Sequence, residues 1–147
     1  MRIQDSIGYI IANADRKLSS NLAQLFQPYG VTSEQWAVLY ALHANDGVNQ
    51  KELARLTDKD PANVTRILDQ LERKGLVARM ANPNDRRSYT MRITRKGMDV
   101  ARQLLPIEQR FVAEIVSGIS EEELEVFRTA MRVIDLNVER LRRDGQA

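Results

Sequence analysis

The chain has 147 residues with 22 Lys or Arg against 20 Asp or Glu, one His, no Cys and 43% hydrophobic residues. That make-up suits a single helix-rich folded unit and fits neither a disordered chain nor a membrane protein. Without cysteine, disulfides, thiolate metal sites and thiol redox chemistry are excluded.

From Asp5 to Phe26, apolar residues recur at spacings of three and four, at Ile7, Ile10, Ile11, Ala14, Leu18, Leu22, Leu25 and Phe26. This predicts one long amphipathic helix, ended by Gln27-Pro28-Tyr29-Gly30. Its charged residues Asp5, Asp15, Arg16 and Lys17 leave no continuous apolar stretch, so no secretory signal is readable. Thr32 with Gln35 reads as a capping box before the apolar run Trp36 to Leu42, which predicts a helix buried on all sides. That run is the longest apolar stretch and falls far short of the ~20 residues of a bilayer span, so a cytoplasmic, membrane-free protein is expected. Asn45-Asp46-Gly47 ends this helix, and Asn49 with Glu52 opens a short one, Gln50 to Leu56.

Asp60-Pro61 places a capping side chain before a proline at the first helical position, and the helix it starts runs to about Lys74. Val64, Ile67, Leu68 and Leu71 form its apolar stripe, leaving a polar face with Asn63, Arg66, Asp69, Gln70 and Arg73. After Gly75 the period becomes two. Leu76 to Met80 and Tyr89 to Ile93 predict a hairpin whose long polar tip, Ala81 to Ser88, ends in Arg86 and Arg87. Thr94 caps a further helix carrying Val100, Leu104, Ile107, Phe111 and Ile115, bent at Pro106 and closed by Gly118. Ser120 with Glu123 opens the last helix, which runs through Leu124, Phe127, Met131, Ile134, Val138 and Leu141.

Charge is unevenly placed: residues 1–46 sum to −1, 47–97 to +6 and 98–147 to −3. A basic central module on less basic flanks suits a polyanion partner, although a solvated basic surface gives the same sums. The element order describes a winged helix-turn-helix: mainly α, with a small β-hairpin wing and further helices at both ends. In that arrangement Pro61 to Lys74 would enter the major groove of duplex DNA. Pro61, Ala62, Asn63, Thr65 and Arg66 are its candidate contacts, because Asn pairs with adenine and Arg with guanine in two-point fashion. Asn63 also reads as a capping or surface residue, Arg66 as a phosphate contact, and Thr65 as bonding within its own helix. At the hairpin, Asp85, Arg86 and Arg87 suggest an arginine held by a carboxylate and inserted in the minor groove; the other reading is a solvated turn. Lys51, Arg73, Lys74, Arg79, Arg92, Arg95 and Lys96 are phosphate contacts or surface, undivided at this level.

The segments Leu53-Ala-Arg-Leu56, Val64-Thr-Arg-Ile-Leu-Asp-Gln-Leu-Glu-Arg-Lys-Gly-Leu-Val77, Asn84-Asp-Arg-Arg87 and Ile93-Thr-Arg-Lys-Gly97 resemble the MarR (multiple antibiotic resistance regulator) family of bacterial transcription factors. The resemblance covers nearly the whole chain. It implies one unit, 1–147, with 31–97 as the DNA-binding lobe and 1–30 and 98–147 as dimerisation helices. It further implies an obligate homodimer on double-stranded DNA, usually a repressor at a pseudo-palindromic operator, with the family's wing Asp and Arg falling on Asp85 and Arg87 beside Arg86. Apolar stripes at both ends support a dimer independently, since they exceed what a small winged core can cover. A two-fold dimer sets its reading helices about 34 to 36 Å apart, one DNA turn.

Family members often answer to a small aromatic or phenolic effector. Trp36, Tyr40 and His43, with Tyr9 and Asn13, are the residues here that would line such a pocket. An aromatic stripe at this spacing also reads as core, and His43 as a partner of a buried carbonyl. No cofactor and no metal are expected: one His and no Cys depart from the family's zinc-sensing and peroxide-sensing branches. Catalysis lacks parts, with no nucleophile–base pair and no Gly-rich phosphate loop. The remaining alternatives are a winged-helix module that binds protein instead of DNA, and a DNA-binding regulator without a ligand switch.

Overall fold

A computed structural model describes residues 1–146, except for the side chain of Arg86. After a 3-10 turn at Ile3–Asp5, α1 spans Ile7–Phe26, and a second 3-10 turn, Gln27–Tyr29, leads to Gly30. Then follow α2 (Ser33–Ala44), α3 (Gln50–Thr57), α4 (Pro61–Arg73), β1 (Val77–Asn82), β2 (Asp85–Ile93), α5 (Arg95–Ile115) and α6 (Glu121–Gly145). The chain forms two compact units, Met1–Gln109 and a second from Arg110 onward.

The core of the first unit is built from the stripes that set the helices. Val38, Leu39 and Leu42 of α2, Leu53 of α3, Val64, Ile67, Leu68 and Leu71 of α4, Met91 of β2 and Leu104 of α5 are all fully buried. Both predicted capping boxes form: Thr32 accepts from the Gln35 N–H while Gln35 accepts from the Thr32 N–H, and Ser120 and Glu123 exchange the same pair of bonds. Asn49 accepts from the Glu52 N–H and starts α3. Thr94 has two tasks: its hydroxyl donates to the Gly75 carbonyl at 2.7 Å and accepts from the Gly97 N–H at 3.0 Å, tying the exit of α4 to the entry of α5. α5 continues through Pro106 to Ile115. In the second unit α6 has no buried residue.

Three expectations are corrected. Asp60 makes no side-chain capping bond. A residue preceding proline is pushed to extended backbone, here φ −58° and ψ 135°, and Pro61 with its preset φ starts the helix without that bond. At the first helix, Asp5 belongs to the separate 3-10 turn, and α1 begins only after Ser6. The long polar tip of the hairpin is absent. The strands pair out to Asn82 and Asp85, leaving a tight turn at Pro83 and Asn84, because exposed polar residues pair through their backbones whatever their side chains. The register jumps from Ala81↔Tyr89 to Asn82↔Asp85, so Arg86, Arg87 and Ser88 form a bulge on β2.

Candidate nucleic-acid interface

α3 and α4 are joined through Asp58, whose left-handed backbone (φ 51°) turns the chain, and the Lys59 N–H closes on the Ala54 carbonyl at 3.0 Å. Burying Val64, Ile67, Leu68 and Leu71 turns Pro61, Ala62, Thr65 and Arg66 outward, with Asn63 half-buried at the margin. Thr65 donates to the Pro61 carbonyl at 3.0 Å and accepts from the Gln50 side-chain amide at 3.2 Å, so the start of α3 is fastened to the exposed face of α4. Arg66 Nη2 donates to Asn63 Oδ1 at 2.6 Å and to Glu34 Oε2 at 3.0 Å.

The wing is anchored at its base. The Met91 N–H donates to the Val48 carbonyl at 2.7 Å, and the Gly47 N–H to the Met91 carbonyl at 2.9 Å. At the bulge, Asp85 Oδ1 accepts the backbone N–H of Arg87 at 3.0 Å. The carboxylate thus fixes the backbone that carries the arginine rather than its guanidinium, correcting the sequence expectation; an Asx turn is the nearer geometry for a side chain two residues away. Among the described residues Arg87 is in no ion pair. Arg86 was expected beside it, but its side chain lies outside the described residues. Asn49, Gln50 and Lys51 of the α3 start face Asp85, Arg87, Ser88 and Tyr89 across a cleft of about 350 Å³. The start of α3 therefore lies between wing and α4: Gln50 bonds Thr65 and lines the cleft opposite the wing, a residue the sequence reading passed over because an uncharged glutamine on a short helix carries no pattern.

The basic residues left undivided in the sequence separate here. Arg79 pairs with Asp69 at 2.5 Å and Glu72 at 3.3 Å and is mostly buried. Lys74 donates to the Gly30 carbonyl and to Gln35 Oε1, and Lys96 to the Lys74 carbonyl. Arg92 lies 3.6 Å from Asp46, and Arg73 bonds the Asp69 carbonyl of its own helix. These side chains hold the lobe together. Lys51 and Arg95 carry no such bond among the described residues and remain available cations.

The MarR family model matches residues 31–89, the stretch containing α2, α3, α4 and the wing bulge. The fold agrees with the MepR–DNA complex of S. aureus at TM-score 0.84 and 24% identity, over 90% of this chain and 98% of that one. It agrees with the transcriptional repressor CouR bound to a 23-mer DNA duplex at TM-score 0.80 and 25% identity, over 90% and 94%. Over residues 31–89 the chain is similar to the MarR family, and over nine tenths of its length it shares the fold of these two regulators. Another structure of this fold is the PcaV transcriptional regulator of Streptomyces coelicolor with its natural ligand, at TM-score 0.78 and 25% identity, over 92% of this chain and 95% of that one. MarR proteins are DNA-binding transcription regulators.

A second cleft, of about 420 Å³, lies beside α2. Trp36 and Tyr40 line it with Leu22, Phe26, Leu56 and Glu108. Trp36 is buried and donates its indole N–H to Glu108 Oε2 at 2.5 Å, and its ring meets Phe26 and Tyr40 at centroid distances of 6.1 and 5.7 Å. Tyr9, Asn13 and His43 are not among the lining residues. Tyr9 is exposed, and Asn13 accepts from Arg16 on its own helix. His43 has a buried Nδ1 with no partner among the described residues. No group of three or more His, Cys, Asp or Glu among the described residues is arranged to hold a metal ion.

Proposed function

We propose that this protein is a sequence-specific double-stranded DNA-binding transcription regulator that acts as a homodimeric repressor at a pseudo-palindromic operator. The observation that carries it is an outward hydrogen-bonding face on α4, bonded to Gln50, and a wing arginine free of ion pairs among the described residues across the cleft that Gln50 lines. Duplex DNA offers acceptors on base edges in its major groove and phosphates beside it, and these two surfaces answer both. Pro61, Ala62, Asn63, Thr65 and Arg66 are assigned to the major groove, and Asp85, Arg86 and Arg87 to the wing contact. MepR and CouR are each seen with DNA, which supports the reading.

Residues 31–97 act as the DNA-binding lobe and 1–30 with 98–147 as dimerisation helices. Phe127, Val138 and Leu141 of α6 and Ile7 and Ile10 of α1 are all exposed in the single chain, more apolar surface than a monomer keeps in water. A two-fold mate covers them. The cleft at Trp36, Tyr40 and Glu108 is the site for a small aromatic or phenolic effector, its volume lying in the ordinary range for such ligands. The ligand-bound PcaV supports a ligand-responsive reading. The protein is a regulator without catalytic activity and works in the cytoplasm; no helix among the described residues is long and apolar enough to cross a membrane.

Selection of duplexes from a random pool, followed by fluorescence anisotropy, tests this. Binding should weaken steeply with salt, by a log–log slope of about 0.9 per phosphate contact. Arg87→Ala should weaken binding by about 1 to 3 kcal/mol and leave the dimer intact. Recovery of no enriched duplex, with binding indifferent to salt, would favour a protein-binding winged helix.

A further inference from the structure

Arg66 is placed to read a base, yet the atom that reading needs is already taken. A guanidinium has two edges that present parallel N–H bonds, Nε with Nη2 and Nη1 with Nη2, and Nη2 belongs to both. Here Nη2 donates to Glu34 Oε2 at 3.0 Å and to Asn63 Oδ1 at 2.6 Å, which uses both of its hydrogens. Only single-donor contacts through Nε or Nη1 remain. Asn63 is three residues away on the same helix, but Glu34 reaches in from the first turn of α2 and brings a full opposite charge. Both side chains of this ion pair are about half exposed, so a competitor can separate them at small cost.

We propose that Glu34 is a specificity-determining residue: it withholds Arg66 from indiscriminate phosphate contact and releases it only where a base pair offers two acceptors. The inference rests on the assignment of α4 to the major groove. While paired, Arg66 adds no net charge and displaces no counterion from DNA. A phosphate can take a single bond from Nε or Nη1, but a two-point grip on either edge needs Nη2 and must displace an acceptor already in place. At the matched site the O6 and N7 of guanine, held in fixed positions by the seated helix, return two bonds for the one surrendered, so the exchange favours that site. The pair thereby lowers binding to random DNA more than binding to the operator.

The test is Glu34→Gln, which keeps size and a carbonyl acceptor and removes the charge. A duplex recovered by selection and a scrambled duplex of equal composition are titrated across a salt series. Affinity for the scrambled duplex should rise about threefold to fivefold per chain, the worth of one exposed ion pair. Its salt slope should steepen by about 0.9 per chain, while the selected duplex changes less. In an Arg66→Ala background the Glu34→Gln effect should vanish. Weaker binding to both duplexes at unchanged slope would overturn the proposal and make Glu34 a prop for Arg66. An effect surviving in the Arg66→Ala background would also overturn it, since Glu34 would then repel the backbone directly. If the unaltered protein binds no duplex, both the release mechanism and the DNA-binding reading fall, whereas the two preceding results overturn the mechanism alone.

Discussion

The backbone of Gly97 in the first turn of α5 lies against the carbonyl of Leu76, so closely that a Cβ at position 97 would sit 2.1 Å from that oxygen. The Thr94 hydroxyl, bonded to both the Gly75 carbonyl and the Gly97 N–H, locks this approach in place. Neither backbone can move aside without breaking those bonds. Gly97→Ala is therefore expected to destabilise the first unit by about 1 to 3 kcal/mol, the usual cost of overpacking a fixed site. A urea melt would show the midpoint lowered; an unchanged midpoint would mean that the α4–α5 junction is loose.

At the wing, the bond from the Arg87 N–H to Asp85 Oδ1 separates shape from charge. Asp85→Asn keeps a carbonyl acceptor and removes one negative charge from the proposed DNA contact. It should bind duplex as well as the unaltered protein, or better. Asp85→Ala loses the turn and should weaken binding by about 1 kcal/mol, the net worth of a hydrogen bond. Equal losses in both variants, measured by anisotropy at matched salt, would show that the carboxylate charge itself is needed.

Much of this architecture was legible in advance because it is governed by local rules. Thr32 with Gln35 and Ser120 with Glu123 are capping signals four residues long, and the Val64, Ile67, Leu68, Leu71 stripe fixes which side of α4 is buried. The wing was misread for an equally plain reason. Polar side chains from Ala81 to Ser88 suggest a loop, but strand pairing is a backbone matter, and β1 and β2 extend through most of that stretch. Illegible altogether were the pairings distant in sequence. Nothing local joins Glu34 to Arg66 or Trp36 to Glu108, and nothing local tells that Arg79 is held by Asp69 and Glu72 while Arg87 is not.

Trp36 is the sole tryptophan, buried at the cleft and hydrogen-bonded to Glu108. Glu108→Ala leaves its indole N–H without a partner and should cost about 1 to 3 kcal/mol, whereas Glu108→Gln retains an acceptor and should cost less. The same indole is a reporter, because an aromatic ligand entering the cleft lies against it. Quenching of its emission by such a ligand, with the response altered in Glu108→Ala, would place the effector there. Quenching unaffected by changes at Glu108 and Tyr40 would move the site elsewhere.

Phe127 and Leu141 are each about 60% exposed on α6. Introducing Glu at both positions should leave the winged lobe folded but shift the protein from dimer towards monomer, as seen by analytical ultracentrifugation. Binding to a two-half-site duplex should fall much further than binding to a single half-site, since linkage of the two reading helices is lost. A double variant that stays dimeric would exclude this face of α6 from the interface.

The cap of α6 also carries a pH signature. The Ser120 N–H donates to the Glu123 carboxylate at 3.0 Å, and this bond, aided by the Ser120 hydroxyl, holds the Glu123 pKa below the ordinary carboxylate value. Glu52 is lowered chiefly by its hydrogen bond from Arg55, and Glu139 by that from Arg142. For a carboxylate whose folded pKa lies below its unfolded one, the stabilising contribution is complete above the unfolded value. It is lost as pH falls through the folded value. Acidification through and below the carboxylate range should therefore loosen the starts of α3 and α6, with no counterpart near neutral pH from these groups. Glu123→Gln preserves both bonds of the capping box without a titrating proton. Helical circular dichroism should then lose the part of its acid transition that belongs to α6, while the part due to Glu52 persists. An acid transition identical in the variant would assign the α6 cap no share in it.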